Sequence, residues 1–165
     1  MTITSEQFRD ALRHFPAGVT IVTIKTPGQN QPHGLTVSAF ASVSPEPPLI
    51  LVCLDHRASG CDILKEEGAV FAVNILPQEK MKLSNRFAWL KDEDRFAEGD
   101  WGVAATGAPV LQDALAWLDC TVYAHYEAGT HTIFVGEVQA SEVPRADEPP
   151  LIYWNRGYRR LQLTE

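Results

Sequence analysis

Five short stretches carry the residues whose types and spacing suit chemistry, and none contains a familiar catalytic motif. In "GLTVSAFASVSPEPP", residues 34–48, alternate positions Leu35, Val37, Ala39, Ala41 and Val43 make one apolar face. The other face, Thr36, Ser38, Phe40, Ser42 and Ser44, is small, hydroxyl-rich and uncharged. Threonine is a good strand former, so this face also suits an ordinary sheet surface. Its chemistry suits a planar ligand: small side chains allow close approach, and hydroxyl and main-chain groups bond ring carbonyls and nitrogens.

"DHRAS" (55–59) opens a helix, where Arg57, Ser59 and free N–H groups can cradle an anion. The same residues also read as a helix cap, Ser59 followed three positions on by Asp62, beside a solvated arginine. In "KLSNRFA", Ser84 and Arg86 can hold a polar group and Phe87 can stack on a base, or Phe87 can fill a core. In "GTHTIFVGEV", His131 begins a strand beside a turn. His125 is six residues away and no HxH or HExxH pattern exists, so a metal site is not expected. "NRGYRR" gathers Arg156, Arg159 and Arg160 around Tyr158 as an anion site or a solubilising edge. GxSxG, P-loop and GxGxxG patterns are missing. Cys53 lies in an apolar run that suits a buried, inert thiol.

The elements that must position these residues follow from periodicity. "TSEQFRDALRHFPAG" reads as a helix capped by Thr4 or Ser5, with Phe8, Leu12 and Phe15 on one face and Pro16 and Gly18 at its end. "VTIVTIKT" is a strand, "PGQNQP" a turn, and 34–44 the second arm of an antiparallel hairpin. "LILVCL" (49–54) suits a central strand and "AVFAVNIL" another. Gly68 ends the helix begun near Ser59, and Pro77 opens a helix carrying Met81, Leu83, Phe87 and Leu90. Residues 91–109 read as a charged, Gly-rich surface excursion. "ALAWLDCTVYAHYEA" and "GTHTIFVGEVQASEV" form a hairpin, "PRADEPP" a loop, and "LIYWNRGYRRLQL" a last strand-like segment. Six or seven strands joined by turns and two or three short helices predict a mainly β antiparallel barrel or sandwich.

The chain has 165 residues, so residues 1–165 are expected to form a single domain. A net charge of −7 argues against nucleic acid as a partner. No apolar run reaches membrane-span length and no secretion signal is evident, so no membrane partner is expected. Three scattered cysteines suit a reducing cytoplasm, and a cytoplasmic location is expected.

In order along the chain, "FPAGVTIVT", "GLTVSAFASVSPEPPLILVCL", "FAVNIL", "LSNRFA", "HTIFVGEV" and "PLIYWNRGYRRL" resemble the short-chain flavin reductases. These are reductase components of two-component flavin-dependent monooxygenases, and the resemblance runs from about residue 8 to about residue 162. It implies a split β-barrel of Greek-key type, a homodimer, FMN or FAD near the dimer interface, and NADH or NADPH as reductant. It places Thr36, Val37, Ser38, Ala39, Phe40 and Ser42 along the flavin, and Arg57, Ala58 and Ser59 at its phosphate. Ser84 and Phe87 would make a second flavin contact. His131 would stand where nicotinamide docks, and Tyr153, Arg156 and Tyr158 would help hold the nucleotide. The implied activity is NAD(P)H:flavin oxidoreduction, with reduced flavin passed to a partner monooxygenase. Two alternatives remain: a resident FMN passing electrons to ferric iron or another acceptor, and a non-catalytic flavin store. Two departures stand out. Ala39 replaces a serine of the family's usual block, and Thr130 replaces the aspartate usual before the histidine.

Overall fold

Residues 34–44 do not run as one strand. In the computed structural model, which describes residues 2–90 and 94–162, the chain changes direction at Ser38–Ala39. The strands are β1 (Ala17–Gly18), β2 (Thr20–Lys25), β3 (His33–Val37), β4 (Phe40–Pro45), β5 (Pro48–Asp55) and β6 (Val70–Ile75). They continue as β7 (Trp101–Val103), β8 (Pro109–Leu111), β9 (Ala116–Ala128), β10 (His131–Glu142), β11 (Ile152–Trp154) and β12 (Gly157–Arg159). The helices are α1 (Ser5–Leu12), α2 (Ser59–Leu64) and α3 (Met81–Trp89).

Seven strands form one antiparallel sheet in the order β3-β2-β6-β9-β10-β5-β4. The two outermost strands, β3 and β4, are consecutive in sequence and separated by two residues. That short link brings the sheet's edges together, so the sheet curls into a split barrel with its seam at Ser38–Ala39. The expected pairing of 20–25 with 34–44 therefore holds only as far as Val37, which faces Thr20. Beyond the seam, Phe40 faces Val52 on β5 instead. Ala39, Ala41 and Val43, expected to continue the apolar face of Leu35 and Val37, are exposed.

Alternation along the strands fills the barrel. Val22 and Ile24 of β2, Ile50, Val52 and Leu54 of β5, Phe71 and Val73 of β6, and Phe134 of β10 share one core. Gly136 makes this packing possible: a Cβ there would stand 2.4 Å from the Phe71 ring. A second core lies outside the barrel, where Ile21 of β2 meets Leu83 and Phe87 of α3 and Leu151. Strand β2 is thus covered on both faces. Its polar side chains are satisfied there: Thr20 Oγ1 donates to Val37 O at 2.6 Å.

Some local expectations change. Helix α2 starts at Ser59 with Ala58 at its cap and no side-chain cap bond, so the Ser59–Asp62 cap does not form. It ends at Leu64, and Gly68 (φ +77°) makes the turn into β6 instead. Residues 94–109 are not wholly surface, because the β7–β8 hairpin buries Ala108, Pro109 and Val110; residues 91–93 lie outside the described region. The last segment is a hairpin, β11–β12, rather than one strand; its Leu163 lies outside the described residues.

Helix α1 forms as its cap predicts: Thr4 Oγ1 accepts from Gln7 N–H at 3.1 Å, and Thr4 N–H donates to Gln7 Oε1 at 2.9 Å. None of its residues is buried, and Phe8, Leu12 and Phe15 are 52%, 54% and 76% exposed. No described helix is long and apolar enough to cross a membrane.

Candidate functional site

The seam of the barrel opens into a cavity of about 640 Å³, a volume in the range of small-molecule and cofactor pockets. Its lining includes Thr36 to Ala39, Arg57 to Ser59 and His131. Three elements meet there because β5, α2 and β10 are locked together. Strand β5 delivers Asp55 and the turn into α2, while the β5–β10 ladder pairs Asp55 with His131. Helix α2 approaches β3 closely at Gly60, where a Cβ would meet Ile24, His33 and Leu35 at a tight 3.0–3.1 Å.

As the outermost strand of the sheet, β3 turns one backbone edge away from any neighbouring strand. Gly34 O on this strand accepts from Arg95 Nη1 at 2.5 Å. Thr36 is half-buried, and its hydroxyl donates to Ser84 O at 2.6 Å. Val37 is buried, whereas Ser38 and Ala39 are exposed at the cavity. The Ala39 carbonyl is taken, accepting from Cys53 N–H at 3.0 Å.

Arg57 is folded onto Asp55. Its Nη2 donates to Oδ2 at 2.6 Å and its Nε to Oδ1 at 3.1 Å, while its backbone N–H donates to Oδ1 at 2.9 Å. These bonds hold the Asp55 carboxyl well below the usual carboxylate range. Ser59 Oγ shares a 3.0 Å hydrogen bond with His33 Nε2. Burial, assisted by the Arg95 charge, pushes the His33 imidazole below its ordinary value. His131 is exposed and its Nδ1 shares a 3.0 Å hydrogen bond with Thr130 Oγ1, leaving Nε2 as the free ring nitrogen.

The remaining candidate residues fall elsewhere. Thr36 and Ser38 also border a second cavity of about 310 Å³, which holds Tyr153, Arg156, Tyr158 and the exposed Trp89. The β11–β12 tip, Asn155 (φ 47°) and Arg156 (φ 61°), adopts the left-handed backbone of a tight hairpin turn. Arg159 lies over the Trp154 ring, 5.7 Å from its centroid, so the expected basic cluster is split. Phe40 borders a third, apolar groove with Leu12, Phe15, Ala41 and Leu51. Ser42 borders none of these three cavities.

Ser84 and Phe87 sit behind the wall. Ser84 is fully buried and its Oγ pairs with the Tyr158 hydroxyl at 2.9 Å. Phe87 borders the main cavity but is only 1% exposed, and its ring meets Phe96 edge-on at 5.1 Å. In this fold Phe87 is a core residue rather than a stacking platform. Arg86 is likewise committed, donating to the carbonyls of Asp94 and Arg95.

The titratable cavity residues His33, Cys53, Asp55 and Arg95 are not among the predicted site residues. His33 precedes Leu35 by two, so strand periodicity offered a signal. Asp55 lay within the quoted "DHRAS". Arg95 arrives from a charged loop without periodicity, and only the fold brings it to Gly34. Cys53, expected inert and buried, is half-buried at the cavity, where burial pushes its thiol up.

The donor set fits a flat heterocycle bearing a phosphate. Ser38, Ala39 and Ala58 are small enough for a ring system to lie against, and Arg57 supplies a cation to the same cavity. Residues 12–162 match the model of the flavin reductase like domain. The chain is 42% identical to the actinorhodin polyketide dimerase of Streptomyces coelicolor, over 98% of this chain and 89% of that protein. It is 38% identical to the reductase component of the FADH2-dependent resorcinol hydroxylase of a Rhizobium species, over 93% of this chain and 85% of that protein. Its fold superposes on an NADH:FAD oxidoreductase of Streptomyces globisporus, solved with NAD and FAD fragments. The TM-score is 0.87 at 33% identity, covering 98% of this chain and 97% of that one. A pocketed split barrel matched along nearly its whole length makes this chain a member of the flavin reductase like family.

Proposed function

We propose that the protein is an NAD(P)H-dependent flavin reductase whose reduced FMN or FAD serves a partner flavin-dependent monooxygenase. The observation that carries this is the seam cavity, where small residues 36–39, the Arg57–Ser59 turn and His131 border one space. Membership of the flavin reductase family supports the reading, as do the resemblances to a monooxygenase reductase component and to an oxidoreductase that takes NADH and FAD.

The bound pair supplies the reaction itself, hydride transfer from nicotinamide to flavin. The chain supplies orientation and charge. Ser38 and Ala39 admit the ring edge without steric penalty. Arg57 neutralises the phosphate, with Ala58 and Ser59 at the same wall. His131 offers its free Nε2 to the nicotinamide side. Tyr153, Arg156 and Tyr158, around the adjoining cavity, hold the rest of the nucleotide.

A second copy of the chain completes the molecule in this reading. The apolar stripe Phe8, Leu12 and Phe15 lies uncovered beside a groove of about 410 Å³ lined by Phe40, Ala41 and Leu51. Sedimentation should give a dimer, and Phe15→Glu should shift it to monomer; a monomeric native chain refutes the pairing. Residues 1–165 work as one cytoplasmic domain in this account.

The test is oxidation of NADH and NADPH by purified protein with FMN, FAD or neither. Saturable, flavin-dependent oxidation supports the reductase. Flavin that copurifies and stays bound while ferric iron is reduced would mark a resident cofactor. Retained flavin without nucleotide oxidation would mark a store.

A further inference from the structure

We infer that Asp55 is an internal competitor for Arg57, an anionic stand-in that weakens the grip on the flavin phosphate and so favours release of the flavin. This rests on the flavin reading of the seam cavity and adds to it a residue that sets how long flavin stays.

The geometry is specific. The carboxylate of Asp55 takes the Nε–Nη2 edge of Arg57, with Nη2 donating to Oδ2 at 2.6 Å and Nε reaching both oxygens at 3.1 and 3.2 Å. That edge is one of the two forks with which an arginine can grip two phosphate oxygens. A phosphate arriving at Arg57 must therefore displace Asp55 from that edge or take the end-on Nη1–Nη2 edge beside it. Either way it meets a second negative charge that does not leave.

The two partners differ in how they are held. Asp55 ends β5, is paired across the ladder with His131, and its side chain is 27% exposed. The Arg57 side chain is 90% exposed. The carboxylate is thus the fixed half and the guanidinium the movable half. An ion pair this exposed contributes little to stability, so its rupture does not forbid phosphate binding. It subtracts from it. An arginine without an acidic partner would hold a phosphate more tightly; this one carries a competing carboxylate that borders the same cavity. That suits a flavin that must depart after reduction.

The test is fluorescence titration of the full chain with FMN and with riboflavin, which has the same ring system and no phosphate. Asp55→Asn should tighten FMN about three- to fivefold, the upper scale expected of one exposed charge pair, and leave riboflavin within about twofold. The gain should vanish in Asp55→Asn/Arg57→Ala, and Asp55→Ser should reproduce it with a different side chain. FMN affinity that is unchanged or weakened in both single variants, with riboflavin binding intact, overturns the inference and makes Asp55 an orienting partner of Arg57. Failure of native protein to bind either compound overturns the flavin reading itself, and this inference with it.

Discussion

His131 and Asp55 stand directly opposite each other on neighbouring strands, β10 and β5, at the border of one cavity. The residue before the histidine is the uncharged Thr130, and the ladder supplies a carboxylate across from it. Side chains so paired lie about 5 Å apart at Cβ, within each other's electrostatic reach. The histidine's surroundings are therefore built by pairing register as well as by sequence neighbours.

Because His131 opens β10 while the proposed phosphate contacts Arg57–Ser59 lie in the turn into α2, His131→Ala should separate two functions. We expect kcat/KM for NADH to fall at least about tenfold, with the FMN dissociation constant within about twofold. Steady-state kinetics and flavin titration check this. Equal loss of both would remove His131 from the nicotinamide side.

The three cysteines report on the cavity. Cys61 and Cys120 are buried, and burial pushes the Cys120 thiol up to about 12. Both should resist alkylation in the native protein. Cys53 borders the cavity, and its raised thiol should react slowly near neutrality and faster as pH rises. Saturating FMN should protect it, measured by mass spectrometry of alkylated peptides. Unprotected labelling at full occupancy would put the flavin elsewhere.

His33 links stability to pH. Its folded-state value is depressed below 6.5 by burial and then by Arg95, so the unfolded chain binds more protons in that region. Its contribution is present above 6.5 and is lost as pH falls through the lower folded value. Urea midpoints should therefore decline from about pH 7 to about pH 5 more steeply in native protein than in His33→Gln. Parallel declines would show that His33 protonates as readily in the fold as outside it.

Phe87 belongs to the outer core, so Phe87→Ala should act first on stability. Loss of a buried phenylalanine costs about 3–5 kcal/mol, read from urea unfolding. A neighbouring constraint points the same way: a Cβ on Gly34 would sit 2.5 Å from the Phe87 ring, so Gly34→Ala should also destabilise. A variant as stable as the native chain but unable to bind flavin would return Phe87 to the ligand.

Periodicity and capping made much of the fold legible. The Thr4–Gln7 box, the β-branched run of β2 and the β9–β10 hairpin all appear where local rules place them. What the rules missed was tertiary. The pattern of 34–44 alternates without interruption, so nothing local marks Ser38–Ala39 as a seam; the break follows from barrel closure. Phe8, Leu12 and Phe15 share one face by their spacing, yet the helix ends at Leu12 and this chain alone buries none of the three. At the site, "DHRAS" and the histidine stood out as polar groups at element ends. Arg95 did not, because its role depends on a loop folding back over β3. Ser84 looked like a ligand group because sequence cannot show that Tyr158 already occupies its hydroxyl.

The most direct measurement is a crystal structure of the protein with FMN. The account predicts the isoalloxazine against residues 36–39, the phosphate at Arg57–Ser59 and His131 at the open side. A flavin seated in another groove, with the seam cavity vacant, would contradict it.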